Sequence, residues 1–249
     1  MGEWGIERFI EETNSAQTEE DVSTLFANVL QEFGYDRFCY SLITDHPSLG
    51  LRAQHGLVQN YPSDWMQHYA CHHYEKIDPV PLYGVSMSRP FTWDSLLDAW
   101  RLSREQTRVM NEAKEAKLLD GIAIPIFGYN SELAGIGMAS SSGGVRPDAN
   151  LLSKLRALSS QFHLAYTELK RNNTHHDKEK IQLTGREKEI LLWAAAGKSD
   201  SVIADILGVT HATIRFHMSN IFKKLNANER TLATVKAIRH GLILPSCVG

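Results

Sequence analysis

A dense cluster of aromatic side chains and one Asp-Pro pair stand out between residues 60 and 93. Trp65 and Tyr69 lie four residues apart, which places both on one face of a helix. If that face is turned inward, it presents an indole N–H and a phenol O–H to an apolar space that suits an amphiphilic small molecule. Asp78 in such a space needs a hydrogen-bond donor, because an unpaired buried carboxylate is costly, and a ligand amide N–H is one such donor. The aromatic members are Tyr61, Trp65, Tyr69, Tyr74, Tyr83, Phe91 and Trp93.

The same residues also fit a purely structural interpretation, in which they form the hydrophobic core of an ordinary domain. For an arbitrary sequence that interpretation is the more common one. The residue types alone therefore leave both a ligand cavity and a plain core open.

The stretch from Leu183 to Ile243 predicts a compact helical module that contains a helix-turn-helix. Thr184 is expected to cap its first helix, and Glu187 stands three residues on, where a capping box requires it. Ser199 and Thr210 are expected to cap the next two helices. The positions expected to face the core are Val202, Ile203 and Ile206, then Ile214, Phe216 or Met218, and Ile221. The third helix is expected to present His211, Thr213, Arg215, His217, Ser219 and Asn220 outward.

This C-terminal stretch resembles the DNA-binding domain of the LuxR family. Glu187, Leu191 and Gly197 match hallmark positions of that domain. The run "TIRFH" at 213–217 is similar to its "TVxxH", and "NIFKKL" at 220–225 to its "NIxxKL". The resemblance implies binding to double-stranded promoter DNA, whereas a helical bundle without nucleic acid is the structural alternative. The predicted DNA contacts are Thr210, Thr213, Arg215, His217, Asn220, Lys223 and Lys224.

The aromatic region resembles the autoinducer-binding domain of LuxR-type quorum-sensing receptors. "NYPSDWMQHY" and "IDPV" are similar to that family's "NYPxxWxxxY" and "xDPV". The resemblance implies an N-acyl homoserine lactone as ligand. Trp65 would donate to the lactone carbonyl, Asp78 would accept from the amide N–H, and Tyr61 would donate to the acyl carbonyl. Tyr69 and Trp93 would wall the pocket, and Gly121 would permit close packing of a strand and a helix.

Two positions depart from the family pattern. Gly137 stands where a Ser or Thr often helps to bind the acyl carbonyl, so that contact would pass to Ser140 or to water. Val80 replaces a hydroxyl side chain that some members carry. Fewer polar groups and more room indicate a long or bulky acyl group. Trp65 and Tyr69 are both retained, which favours a lactone over the plant compounds bound by other relatives.

The distribution of charge agrees with one DNA-binding end. The chain carries a net charge of −3, but residues 183–249 hold nine Lys and Arg against five Asp and Glu. That end is therefore +4 and the remainder −7, which is expected when only one domain meets phosphate. Three cysteines without metal spacing, no signal pattern and no long apolar run favour a soluble cytoplasmic protein without a membrane segment. His175-His176 in a polar segment is interpreted as solvated rather than as a metal site.

Hydrophobic periodicity predicts an α+β fold. The N-terminal part is expected to be an α/β/α sandwich with a mostly antiparallel sheet, and the C-terminal part an all-α helix-turn-helix domain. The expected domains are 1–170 for ligand binding and 183–249 for DNA binding, with a linker at 171–182. Predicted helices are 6–14, 19–33, 65–74, 103–117 and 148–170, and predicted strands are 38–43, 51–57, 121–127 and 133–140.

Three function classes compete. A ligand-responsive transcriptional regulator explains both stretches, and it implies a homodimer, contact with RNA polymerase and no cofactor beyond the ligand. An enzyme is disfavoured because the sequence has no phosphate-binding glycine loop, HExxH motif or nucleophile elbow, so no catalytic or metal-binding residues are predicted. A response regulator, or an orphan factor that responds to another small molecule, is the alternative. A phosphoacceptor would require a strand-end setting that Asp36 and Asp45 lack.

Overall fold

The computed structural model describes residues 5–128, 132–173 and 181–244. The chain divides into two compact units, one built from 5–128 and 132–173 and the other from 181–244. The helix that closes the first unit runs to Asn173, three residues into the predicted linker. The rest of that linker up to residue 180, including His175 and His176, lies outside the described residues. The domain limits therefore stay a prediction.

The first unit contains a single five-stranded sheet. Its strands are β1 (Arg37–Leu42), β2 (Gln54–Gln59), β3 (Phe91–Thr92), β4 (Leu119–Phe127) and β5 (Leu133–Ser140). The spatial order is β2-β1-β5-β4-β3, and every neighbouring pair is antiparallel. The predicted antiparallel sheet is confirmed. The strand predicted at 51–57 begins three residues later, because Leu51 instead makes an isolated bridge with His46.

Seven helices accompany this sheet within the described residues of the first unit. They are α1 (Ile6–Ser15), α2 (Glu19–Gln31), α3 (Ser63–Cys71), α4 (Pro79–Gly84), α5 (Trp93–Ala99), α6 (Arg104–Glu115) and α7 (Ala149–Asn173). The helix predicted at 65–74 ends earlier, since His73 takes a left-handed backbone conformation before a 3₁₀ turn at Tyr74–Lys76. The helices α4 and α5 and the two-residue β3 were not predicted, because elements this short show no clear period.

Alternation along the strands gives the sheet two different faces. Phe38, Tyr40 and Leu42 of β1 point into the main core, which α1, α2 and α7 cover. Phe26 of α2 and Phe162 of α7 meet there with ring centroids 4.5 Å apart. The opposite face carries the intervening residues of the strands and is covered by α3 to α6.

The second unit is a four-helix module. Its helices are α8 (Gly185–Ala195), α9 (Asp200–Leu207), α10 (His211–Leu225) and α11 (Arg230–Arg239). The caps predicted at Thr184, Ser199 and Thr210 are all present, and Thr184 forms the full capping box with Glu187. Gly208 turns the chain between α9 and α10 in a left-handed conformation (φ 63°) that glycine adopts without strain. The helix-turn-helix is confirmed.

The structure corrects one prediction about its core and decides one alternative that the sequence left open. Val202 and Ile206 are exposed, because the short α9 buries Ile203 and Ala204 instead. On α10, the core takes Met218 and not Phe216, whose side chain is 64% exposed. The buried positions 214, 218, 221 and 225 follow the helical period. Position 216 falls outside that period, on the solvent side.

Candidate functional site

A cavity lies between the sheet of the first unit and the helices α3 to α6. Its volume is about 90 Å³, several times what one water molecule requires. Small residues on neighbouring strands of the sheet leave space for the cavity. Cys39 on β1 pairs with Gly137 on β5, and Gly137 pairs with Ala123 on β4. The predicted site residues that line it are Tyr61, Trp65, Tyr69, Asp78, Trp93 and Gly137.

Asp78 is the acidic group of the cavity and caps the N-terminus of α4. One carboxylate oxygen accepts from the backbone N–H of Val80 at 2.8 Å, and the other accepts from the hydroxyl of Tyr69 at 2.9 Å. The residue is only 9% exposed. Burial raises the pKa of the Asp78 carboxyl to about 6, although these two hydrogen bonds oppose the shift. Tyr69, which was expected only to form part of the cavity wall, therefore supplies one of the hydrogen-bond donors that this buried carboxylate needs.

Aromatic residues line the same cavity as this carboxylate. The rings of Trp65 and Tyr69 meet edge to face at 5.9 Å. Burial, followed by the nearby Cys39 and Asp78, raises the pKa of the Tyr61 hydroxyl well above its ordinary value, so Tyr61 acts as a neutral donor or acceptor. The wall thus presents neutral hydrogen-bonding groups around one acid.

Trp93 contributes an unsatisfied donor. Its indole N–H is buried and has no hydrogen-bond partner among the described residues. The ring lies directly over Gly121, where a Cβ would come within 2.0 Å of the indole. The close approach predicted for Gly121 is confirmed. Gly121 itself is not among the cavity-lining residues, so it acts on the cavity by admitting Trp93.

Gly137 and Ser140 differ in their position on β5. Gly137 lines the cavity, and a Cβ at this position would lie 3.0 Å from the hydroxyl of Tyr61. Ser140 lies three residues further on, so the alternation of the strand turns it to the other face. Its hydroxyl accepts from the backbone N–H of Gly143 at 3.1 Å and pairs with Ser142. The expectation that Ser140 takes over a ligand contact was therefore wrong.

Three polar residues of the cavity were missed by sequence reasoning: Cys39 and Ser41 on β1 and His55 on β2. The Ser41 hydroxyl lies 3.3 Å from Nδ1 of His55, and the Cys39 sulfur lies 3.7 Å from Nε2. Burial lowers the pKa of His55 to about 4, which keeps the imidazole neutral near pH 7. The expectation of fewer polar groups, drawn from Gly137 and Val80, did not take these three residues into account. Alternation along β1 indicates that Cys39 and Ser41 share a face, but not which face.

The outward face of α10 carries the residues predicted to contact DNA. Arg215 and Lys223 are exposed, and His217 and Asn220 are half-buried. The hydroxyl groups of Thr210 and Thr213 lie 2.9 Å apart at the start of the helix. The surface is therefore cationic and rich in hydrogen-bonding groups, as a phosphate- and base-contacting helix requires.

Lys224 is engaged within the unit itself. Its ammonium donates to the carboxylate of Glu187 at 2.7 Å and so ties α10 to α8. Burial alone would raise the pKa of Glu187, but hydrogen bonds from Lys224 and Thr184 hold that pKa below its ordinary value. Binding of DNA by Lys224 stays a prediction. It would use a side chain that already forms an ion pair with Glu187.

Within residues 5–128, 132–173 and 181–244, no group of three or more His, Cys, Asp or Glu side chains is arranged to hold a metal ion. Over the same part of the chain, no helix has both the length and the apolar character needed to cross a membrane.

A cavity with aromatic walls in one unit and a helix-turn-helix in the other define a ligand-responsive, DNA-binding regulator. The sequence matches the family described as "Autoinducer binding domain" over residues 18–166 and that described as "Bacterial regulatory proteins, luxR family" over residues 181–237. The chain belongs to the LuxR family of quorum-sensing transcriptional regulators. It is a regulator of transcription and not an enzyme.

Relatives match along most of the chain. The transcriptional activator protein VanR of Vibrio anguillarum is 32% identical over 96% of this chain and 98% of its own length. The quorum-sensing-dependent regulator RpaR of Rhodopseudomonas palustris is 35% identical over 75% of this chain and 74% of its own. The crystal structure of Escherichia coli SdiA superposes with a TM-score of 0.73 at 26% identity and covers 96% of this chain and 98% of that one.

Proposed function

We propose that the ligand is an N-acyl homoserine lactone and that the regulator binds double-stranded promoter DNA as a homodimer. The observation that carries the proposal is the buried carboxylate of Asp78, held by Tyr69 and Val80 beside the indole of Trp65 in an apolar cavity. Such a ligand has an amide N–H for the acid, carbonyl oxygens for the donors and an acyl chain for the apolar wall.

The hydrogen-bonding capacity of Asp78 supports this ligand. An ionised carboxylate accepts about four hydrogen bonds, and the protein supplies two of them. A third bond from the ligand amide would be charge-assisted and stronger than a neutral one. The lactone carbonyl would then accept from the indole N–H of Trp65, and the acyl carbonyl from the hydroxyl of Tyr61. Tyr69 would serve both as wall and as the group that orients Asp78.

The open position at Gly137 supports the assignment of Tyr61. Because residue 137 on β5 has no side chain, the Tyr61 hydroxyl lies next to that part of the strand. It can therefore supply the donor that a Ser or Thr at this position would otherwise share. The unsatisfied indole N–H of Trp93 offers a further donor to an oxygen of the ligand.

On the DNA side, α10 is proposed to enter the major groove. Arg215 would contact guanine, and Lys223 would bind phosphate. Thr210, Thr213, His217, Asn220 and Lys224 would make phosphate or secondary base contacts.

Apolar side chains exposed on two helices support a dimer. Leu164 on α7 and Val235 on α11 are both exposed, and Leu232 and Ile238 flank the latter. A pair of such subunits would read two half-sites one helical turn apart. We further propose that the DNA-bound dimer contacts RNA polymerase and that it acts in the cytoplasm.

The test is expression in the presence and absence of a lactone panel, followed by mass spectrometry of the small molecule that co-purifies. One member of the panel is expected to co-purify in near-stoichiometric amount with the wild-type protein. Trp65→Phe keeps most of the ring but loses the donor, so it is expected to bind that lactone about 1–3 kcal/mol more weakly. A protein that retains no lactone, and shows no saturable binding of any panel member at micromolar concentration, would contradict the proposal.

A further inference from the structure

The three polar residues missed by the sequence analysis form one cluster at an irregularity of the sheet. The pairing of β1 with β2 shifts register between Tyr40 and Leu42, so Ser41 lies at a bulge. Bulges re-aim side chains, and here the hydroxyl of Ser41 accepts from the backbone N–H of Gly56 at 3.0 Å. The extra residues lie on β2 opposite Ser41, and the Gly56 N–H of that segment holds the serine hydroxyl at the wall of the cavity.

The hydrogen-bonding groups of this cluster can be arranged in two ways. The Ser41 hydroxyl and Nδ1 of His55 are 3.3 Å apart, and either can donate to the other depending on the imidazole tautomer. The Cys39 thiol lies 3.7 Å from both Ser41 Oγ and His55 Nε2 and can complete either arrangement. When Nδ1 carries the hydrogen and donates to Ser41, the serine O–H is released to donate elsewhere. When the serine donates to Nδ1, its oxygen keeps a lone pair for another donor.

The cluster lies one aromatic ring away from the proposed anchor of the ligand. The imidazole of His55 stacks on the ring of Tyr69 with centroids 4.2 Å apart and planes 13° apart. The hydroxyl of the same tyrosine donates to Asp78. Residues Asp78, Tyr69, His55 and Ser41 thus form a continuous polar strip along one wall, and a ligand whose amide meets Asp78 would extend its acyl group past this strip.

We propose that Ser41 and His55 form a subsite for an oxygen atom carried on the acyl chain close to its amide, a keto or a hydroxyl group. The proposal rests on the function proposed above and specifies the acyl class of its ligand. A keto oxygen would accept from the released serine hydroxyl, and a ligand hydroxyl would donate to the serine oxygen. An unsubstituted alkyl chain would instead cover the cluster and remove water from it without replacing the lost hydrogen bond.

The experiment compares ligands that differ only in this oxygen. Dissociation constants are measured calorimetrically for N-hexanoyl-, N-(3-oxohexanoyl)- and N-(3-hydroxyhexanoyl)-homoserine lactone on the full-length protein. The wild type is expected to bind at least one oxygenated ligand roughly three- to tenfold more tightly than the parent, the range of one neutral hydrogen bond. Ser41→Ala is expected to bring that ratio to about one while binding of the unsubstituted lactone is retained.

Two further variants separate recognition from folding. His55→Phe keeps a ring to stack on Tyr69 but removes both nitrogens, so it is expected to lower the preference without losing the parent ligand. Ser159→Ala removes a buried hydroxyl that lies on α7 and not among the cavity-lining residues, and it is expected to leave the ratio unchanged. Equal affinity of the wild type for all three lactones, or an undiminished preference in Ser41→Ala, would overturn the subsite and leave lactone binding intact. Failure of every lactone to bind would overturn the proposed function itself.

Discussion

The hydroxyl of Tyr61 lies 3.0 Å from the point that a Cβ of residue 137 would occupy. A glycine on β5 and a tyrosine from the loop before α3 thus share one part of the cavity wall. The absence of a side chain at 137 leaves space for a phenol that burial keeps neutral. The absence of a side chain at 137 is therefore what allows the hydroxyl of Tyr61 to lie at this part of the wall.

The first prediction concerns this pair. Gly137→Ala is expected to displace the Tyr61 hydroxyl by a few tenths of an ångström and to weaken lactone binding by about 1 kcal/mol, the value of one hydrogen bond. In a Tyr61→Phe background the same change is expected to cost much less, because no hydroxyl remains to be displaced. Calorimetric titration of the four proteins measures the coupling. Equal losses in both backgrounds would show that the methyl group meets the ligand directly.

The second prediction concerns the proton on Asp78. Burial raises the pKa of this carboxyl from 3.8 to about 6, so the folded protein binds the proton more tightly than the unfolded chain does. The resulting stabilisation is present below about pH 4 and is lost as the pH rises through about 6. The free energy of unfolding of the wild type, relative to Asp78→Asn, is expected to fall by on the order of 3 kcal/mol between pH 4 and pH 7. Denaturant titrations of the ligand-free proteins measure it.

Ligand binding is expected to depend on the same proton in the opposite direction. A ligand amide N–H donates to the ionised carboxylate, so lactone affinity of the wild type should rise with pH until about pH 6 and then level off. Asp78→Asn should bind weakly and show no such dependence. Asp98→Asn, an exposed position on α5, is the matched control and should follow the wild type. Parallel pH profiles for the wild type and Asp78→Asn would contradict the assigned role.

The third prediction concerns the contact of Gly121 with Trp93. A methyl group at 121 would overlap the indole, so Gly121→Ala is expected to destabilise the first unit by about 1–3 kcal/mol, as overpacking does. The loss should shrink in a Trp93→Ala background, where the ring is absent. Gly5→Ala in the same unit serves as control, because no heavy atom lies within 4 Å of the position of its Cβ. An undiminished loss in the Trp93→Ala background would place the strain elsewhere.

The cavity could be predicted from sequence only where residue type and spacing agreed. The indole of Trp65 and the carboxyl of Asp78 are unusual groups for a core, and their spacing along the chain indicated that they belong to a ligand site. Ser41 and His55 carried no such signal. Alternation places Ser41 on the same face of β1 as Cys39 but does not tell which face lines a cavity, and the direction of His55 depends on a register shift in β2 that the sequence pattern does not reveal. The sequence also left open whether Phe216 or Met218 is buried, for a related reason. Both side chains are apolar, and only the rotation of α10 about its axis relative to the neighbouring helices decides which one is buried.

The fourth prediction separates two adjacent lysines on α10. Lys224→Ala leaves the buried carboxylate of Glu187 without its cation, so it is expected to lower the stability of the second unit by about 1–3 kcal/mol. Lys223→Ala should leave stability unchanged and weaken binding to all DNA sequences alike, with the salt slope of log K reduced by about one. Thermal unfolding and binding at several salt concentrations test the pair. A stable Lys224→Ala protein with a reduced salt slope would show that Lys224 also binds phosphate.

The fifth prediction concerns how Arg215 contributes to DNA binding. Its exposed guanidinium on α10 can bind a phosphate or make a bidentate contact to guanine. The bidentate contact is worth roughly 1–3 kcal/mol of discrimination against the wrong base. Arg215→Lys separates these roles, because lysine keeps the charge but loses the planar fork. Binding is measured on a duplex selected by the wild type from a random pool and on its scrambled counterpart. A base-reading arginine predicts that Arg215→Lys loses affinity for the selected duplex only, that its salt slope is unchanged, and that one position of each half-site becomes degenerate in a repeated selection. Equal affinities of Arg215→Lys and the wild type on both duplexes would assign Arg215 to phosphate.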